Sequence, residues 1–395
     1  MGVIRIIKVF VAVVVISALL FGGYVVYLSM EAARIPDMQS QEIAYIPSPQ
    51  EALSGEFREG EKATDRMKTL RKGRKYTATT YNIGFGAYDH EFSFFLDTNK
   101  MKAGTETKGI FSRASSKKAA EDNTDACIAV IREQDPDFAL FQEVDKEADR
   151  SQGVDQAARI AGRLLTGTEE AACWTFSTNM HTGYLLYPLT KPIGRVANSG
   201  LMTLSKFRMS RAERHSLPIT GAFPDKFFDL DRCFSLLRFP VENKKGDRQG
   251  ELVVINLHTS AYDKGGVIRK RQMDVLKSAA EKEYEKGNWV IIGGDFNHAL
   301  YGTLETFQGE MQTPPWAQPF EDSMLPAGFA LVQPDNAASV ATCRDTSIPY
   351  HRGINYEVTL DGFMVSENVV ATATNLDADY EGSDHNPVRL DFKLR

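Results

Sequence analysis

The chain has 395 residues, of which 43% are hydrophobic and 25% charged, with a formal net charge of -6. That length buries one large core or two modest ones, and the negative charge argues against gripping nucleic acid by bulk electrostatics, though not against a nuclease working through bound cations. Four widely spaced cysteines (Cys127, Cys173, Cys233, Cys343) without a C-x-x-C pair exclude an ordinary structural zinc site and leave one or two disulfides open.

Residues 9–28 are an uninterrupted apolar run without a charge. About 20 helical residues span roughly 30 Å, the hydrocarbon thickness of a bilayer. Arg5 and Lys8 precede the run, which keeps residues 1–8 in the cytoplasm and sends the rest across as a single-pass protein. A cleaved signal and a core helix are the alternatives. The run outlasts a usual signal segment, and no A-x-A-like site follows it, so an uncleaved anchor is expected. Residues 29–75 are polar, with Pro36, Pro47, Pro49 and a charge-dense end, and read as a stalk.

Residues 76–395 alternate strands and helices. Tyr76–Tyr81 reads as a strand ending in Asn82 and glycine, and residues 124–134 as a helix capped by Asn123 or Thr124. The strand 137–144 closes on Gln142 and Glu143, and a helix is expected over 155–165. Strands follow over 198–205 and 233–239, then a stronger one over 252–258 that ends in His258. An amphipathic helix over 269–286 leads to the strand Val290-Ile291-Ile292. Gly293 and Gly294 are expected to end that strand in a sharp turn, leaving Asp295 and Asn297 on one side of an extended segment. A strand over 358–365 carries Asp361, and the last strand, near 388–392, follows Ser383-Asp384-His385-Asn386-Pro387. Carboxylates and carboxamides gathered at strand ends suit a hard divalent cation, and histidines beside carboxylates suit proton transfer or charge stabilisation on a phosphate.

The ordered set Tyr81-Asn82, Gln142-Glu143, Leu257-His258, Gly294-Asp295-Phe296-Asn297, Leu360-Asp361-Gly362-Phe363 and Ser383-Asp384-His385-Asn386-Pro387 resembles the endonuclease/exonuclease/phosphatase superfamily. The resemblance covers residues 76–395. It implies an α/β four-layer sandwich, two mostly antiparallel sheets face to face with helices outside. It also implies a metal-dependent phosphoesterase acting on a lipid, nucleotide or nucleic-acid phosphate ester. Glu143 would be the main ligand of Mg²⁺ or Mn²⁺, with Asn82 and Asp384 nearby. Asp295 would orient or deprotonate the attacking water, Asn297 would bond a phosphate oxygen, and His385, held by Asp361, would contact the scissile phosphate. His258 matches the second histidine of the deoxyribonuclease and sphingomyelinase branches.

Arg150, Asp263 and Arg269 are further candidates to line the cleft, with surface ion pairs as the alternative reading. The remaining histidines match no motif, His298 being the nearest to one. A lipid-directed enzyme would expose apolar loops at the membrane, with Phe92, Phe94, Phe95 and Leu96, or Phe223, Phe227 and Phe228, as candidates; core packing is the competing reading. Besides a phosphodiesterase or phosphatase facing outside the cytoplasm, a nuclease for extracellular DNA or RNA and an inactive binding module on the same scaffold stay open. No obligate protein partner is evident.

Overall fold

The computed structural model describes residues 2–31, 34–54, 63–164, 170–221, 231–261 and 263–395. Two seven-stranded mixed sheets face each other. One runs in the order Gln39–Ser40, Arg211–Ser216, Cys233–Glu242, Arg248–His258, Trp289–Asp295, Asp361–Ser366, Phe329–Leu331. The other runs Val369–Asn375, Val388–Leu394, Lys75–Asn82, Phe138–Ala148, Gly194–Ser205, Ala172–Leu185, Ala44–Ile46.

Each sheet holds one parallel pair, joined by a crossover that includes a helix. Lys75–Asn82 pairs with Phe138–Ala148 through the helix Lys117–Gln134, and Arg248–His258 pairs with Trp289–Asp295 through the helix Val267–Glu285. Parallel strands need such a crossover, and it returns both strands with their C-terminal ends on one edge. Each helix covers the outer face of its sheet. Met273, Leu276 and Ala280 pack on Val253, Ile255 and Ile292, while Cys127, Ile128 and Ile131 pack with Tyr81, Ala139 and Phe141.

Successive side chains on a strand alternate faces, so the opposite set points between the sheets. Those inward residues change character along each strand. Tyr76 and Ala78 give way to Thr80 and Asn82, Phe138 and Leu140 to Gln142, Leu252 and Val254 to Asn256 and His258, and Trp289 and Ile291 to Gly293 and Asp295. The antiparallel strand Asp361–Ser366 runs the other way, from Asp361 to Phe363 and Val365. The interior is therefore apolar at one end and polar at the other.

Several expectations need correction. The helix expected from residue 124 begins at Lys117, two turns earlier, because Ser116 caps it by accepting from the Ala119 amide at 3.0 Å. Gly293 and Gly294 lie inside the strand Trp289–Asp295 rather than ending it. A Cβ on Gly294 (φ +151°) would sit 2.1 Å from the Leu257 carbonyl oxygen, so close strand packing requires the glycine. The strand Ala172–Leu185 was not anticipated, because its inward positions are polar: Thr175, Ser177 and Asn179 are all buried. Part of the segment read as a stalk packs on the domain: Gln39–Ser40 and Ala44–Ile46 add edge strands, and Met67 and Leu70 enter the core. All four cysteines are buried and free, with no disulfide among them.

The helix Gly2–Glu31 is long and apolar enough to cross a membrane, and none of its most apolar stretch is buried. Only its C-terminal turns touch the domain, where Leu28 is buried against Met180, Leu185 and Ile193.

Candidate active site

The polar ends of five strands converge at one edge of the sandwich. Register explains the meeting: Asn82 lies opposite Gln142, His258 opposite Asp295, and Asp295 opposite Asp361. The loop carrying Asp384 and His385 reaches in from the last strand, and Cys343 bridges to His385.

Asp295 is the centre. Its Oδ1 accepts from the Asn297 amide at 2.8 Å, and its Oδ2 accepts from Asn82 Nδ2 at 3.1 Å. The Nε2 atoms of His258 and His385 lie 3.4 and 3.7 Å from that same Oδ2. Burial, with the Asp361 charge adding to it, pushes the Asp295 carboxyl up to about 6.

The two imidazoles have opposite electrostatics. Burial holds His258 well below its usual value, aided by the Arg232, His385 and Arg150 charges, so it is neutral near pH 7. Burial also disfavours a charged His385, but the surrounding acids, Asp361 first among them, outweigh it and hold His385 well above the usual range. Asp361 Oδ2 lies 2.7 Å from His385 Nδ1, which fixes the ring and leaves Nε2 facing the cleft.

Glu143 reaches this group through a bulge. The strand Phe138–Ala148 slips register between Phe141 and Val144, and Glu143 takes the left-handed conformation (φ +52°). Alternation after Gln142 would otherwise turn Glu143 to the outer face; the bulge re-aims it into the cleft. Its carboxylate is 22% exposed and accepts from Asn82 Nδ2 at 3.2 Å. Asp384 lines the same cleft, its carboxyl pushed up to about 7 by burial and by the nearby Glu143 charge, which His385 and Arg344 only partly offset.

Asn297 is also left-handed (φ +47°), so it is not extended with Asp295 as expected; an Asx turn brings the two together instead. One hydrogen of its amide is taken by the Thr259 carbonyl, leaving the second for the cleft it lines.

Of the weaker candidates, Arg150 lines the cleft, bound bidentately to Asp145 at 3.0 and 3.1 Å and standing 4.1 Å over the Phe85 ring. Asp263 and Arg269 do not line it. Arg269 is buried and donates to the Asn297 carbonyl, while Asp263 accepts from the Arg269 amide at 2.7 Å, so the pair braces the Asn297 loop from behind. His298 is buried with Nδ1 against the Phe296 carbonyl and stands outside the cleft.

Sequence reasoning missed Arg232 and Arg344, both buried in the cleft wall. Arg344 is brought there by tertiary pairing, its amide donating to the Asp384 carbonyl at 3.1 Å, and no motif in the sequence around it signals that contact. Of the aromatic candidates, Phe92 and Phe95 are buried, whereas Phe94 and Leu96 line the cleft; Phe223, Phe227 and Phe228 lie outside the described residues.

The donor chemistry fits a hard divalent cation. Glu143 and Asp384 bring two carboxylates to one cleft beside the Asn82 carboxamide, oxygen donors of the kind such a cation takes. Asp295, Asp361 and His385 also bring ligand atoms within 4.8 Å of one another. There, however, the Asp361–His385 hydrogen bond already occupies two of the three groups.

A family model described as the Endonuclease/Exonuclease/phosphatase family matches residues 79–385. A solved endonuclease/exonuclease/phosphatase from Beutenbergia cavernae is similar at TM-score 0.50 and 19% identity, over 81% of this chain and 72% of that one. Truncated TDP2 from Caenorhabditis elegans gives 0.48 and 13% over 82% and 99%. The human Nocturnin catalytic domain gives 0.44 and 14% over 85% and 100%. No curated protein matches. The family model spans more than three quarters of the sequence, and the chain belongs to the Endonuclease/Exonuclease/phosphatase family.

Proposed function

We propose that the chain is a divalent-metal-dependent phosphoesterase, anchored by its N-terminal helix with the catalytic domain outside the cytoplasm. The observation that carries the reading is the convergence of two imidazole Nε2 atoms and the Asn82 amide on one oxygen of the buried Asp295. In-line attack on phosphorus needs a placed water, a neutralised phosphate and a stabilised leaving oxygen.

Asp295 orients a water and takes its proton; a carboxyl held near 6 is a better base than an ordinary aspartate and is still largely ionised at neutral pH. His385, charged and held by Asp361, faces the phosphate oxygens through Nε2. His258, neutral, donates or accepts opposite it, and the free Asn297 N–H bonds a phosphate oxygen as charge builds there. Glu143, Asn82 and Asp384 are the residues to hold Mg²⁺ or Mn²⁺, which would supply neutralisation of the phosphate charge.

The test uses the full-length protein in detergent with a soluble chromogenic phosphodiester. Exhaustive chelation should abolish turnover, and Mg²⁺ or Mn²⁺ should restore it; activity that survives chelation overturns the metal role. The Arg5 and Lys8 flank supports the topology. Protease added to intact cells should clip the domain, and full protection would reverse the orientation.

A further inference from the structure

The cleft has a second half that the phosphate chemistry does not use. Besides the acids and imidazoles, Phe94, Leu96, Met180, Leu185 and Ile193 line the cleft and form its apolar arm. A substrate that is polar throughout would gain nothing from this wall, because burying polar groups there costs desolvation without a partner.

The outer end of the arm is the hairpin joining the strands Ala172–Leu185 and Gly194–Ser205. Its tip exposes apolar side chains: Leu186 is 46% exposed and Leu189 85%. The hairpin is docked on the membrane-length helix. Tyr24 Oη donates to the Tyr184 carbonyl at 3.0 Å and accepts from the Leu186 amide at 2.9 Å, and Tyr27 Oη accepts from the Tyr184 amide at 3.0 Å. Gly183 admits this contact, since a Cβ there would lie 2.9 Å from the Tyr27 ring. Leu28 closes the joint against Met180, Leu185 and Ile193, the same residues that line the arm.

The end of the helix thus packs on residues that line the apolar arm, the exposed hairpin tip continues from them, and the arm shares its cleft with Asp295. A bilayer that holds the helix meets the hairpin at its interface, where tyrosines and exposed leucines are favoured. Resting on the phosphoesterase reading above, we propose that the substrate is a membrane lipid carrying a phosphodiester, taken from the bilayer with its chain in the apolar arm and its phosphate at Asp295 and His385. In that reaction the oxygen of water bonds to phosphorus and one P–O ester bond breaks. One water proton ends on the released alcohol, and the other stays on the phosphomonoester. A nucleic-acid strand fits this surface poorly. Arg150 is already paired with Asp145, and the hairpin tip sets one exposed cation, Lys191, among exposed apolar side chains where a strand needs several.

The test reconstitutes the full chain into vesicles of equal parts phosphatidylcholine and sphingomyelin with Mg²⁺, and follows diester loss by phosphorus NMR. Single-stranded DNA and a soluble chromogenic diester are assayed in parallel. The wild type should cleave a vesicle lipid. Leu189→Asp, at an exposed tip, should cut vesicle turnover at least tenfold and leave the soluble diester within twofold. Leu96→Glu, inside the arm, should raise the apparent KM for lipid tenfold or more. Cleavage of DNA with intact vesicles overturns the lipid proposal while the phosphoesterase reading survives. Vesicle turnover indifferent to both variants likewise overturns it. Loss of the soluble-diester activity in the wild type would instead remove the phosphoesterase reading itself, and the lipid proposal with it.

Discussion

The two ends of the layer between the sheets are built on the same strands and differ in what they are built for. At the far end, Phe138, Phe239, Phe392, Trp289 and Val254 fill the space with interdigitated apolar groups, and Phe138 meets Phe239 edge-on at 5.0 Å. At the site end the same strand faces carry Thr80, Gln142, Asn256 and Thr203 in a closed hydrogen-bonded belt. Gln142 Nε2 donates to Asn256 Oδ1 at 2.7 Å and to Thr80 Oγ1 at 3.0 Å, and Asn256 Nδ2 donates to Thr203 Oγ1 at 3.1 Å. Beyond the belt come the charged groups. Apolar packing supplies most folding free energy but little directionality, whereas a satisfied polar network adds little net stability and fixes geometry. One end holds the sandwich together, and the other holds Asn82, His258 and Asp295 at set distances.

The sharpest way to break this division is to mutate each end and read both observables. Asp295→Ala should cost about 10²–10⁴ in turnover, or roughly 3–5 kcal/mol of barrier. Its unfolding free energy should change little, because the carboxylate removed is one that burial disfavours. Phe239→Ala should do the reverse, losing about 3–5 kcal/mol of stability. Turnover of the folded fraction should stay within a few-fold. Chemical denaturation and single-temperature kinetics on both variants suffice, and a Phe239→Ala enzyme with collapsed turnover per folded molecule would erase the distinction.

The same division governs what the sequence reveals. The candidate residues are visible in the sequence because strand ends carry polar groups in a fixed order, and the fold brings Asn82, Glu143, His258, Asp295, Asp361, Asp384 and His385 together at one cleft. The details that aim them are not visible. Nothing in Gln142-Glu143 announces the bulge, since alternation places Glu143 on the wrong face. The requirement for Gly294 arises from the Leu257 backbone of another strand. Long-range packing also hides the strand Ala172–Leu185, whose inward Thr175, Ser177 and Asn179 defeat an apolar-alternation reading. Asp263 and Arg269 were misplaced for a related reason: charge next to a motif residue in sequence says nothing about which side of the loop it braces.

Acid should expose the site end next. His298 is buried beside Phe296, and burial pushes its imidazole down to about 4. A histidine whose folded value is depressed is bound by fewer protons folded than unfolded. Its contribution is therefore full above about 6.5 and declines as pH falls toward about 4, below which it is constant. The span amounts to about 3 kcal/mol at most. The site carboxylates that are held high push in the opposite direction, so the comparison to make is with His298→Leu. Denaturation between pH 7 and 4.5 should show the wild type losing stability relative to that variant; parallel curves would mean His298 is solvated or charged in the native state.

The smallest effect is the most informative about the belt. Asn256→Leu leaves Gln142 and the Met202 carbonyl without a partner they now use, at about 1–3 kcal/mol. Adding Gln142→Leu removes the second half of the pair, and replacing both partners by apolar groups of similar size is often close to neutral. If the belt were there for stability, the double variant would restore both folding and turnover. If it sets the position of Asn82 and Glu143 above it, stability should recover while turnover stays about tenfold down, because leucines pack without fixing direction and small misplacements of reacting groups are costly. A double variant as active as the wild type would show that the catalytic geometry is set by the loops alone, and the polar end of the sandwich would need another explanation.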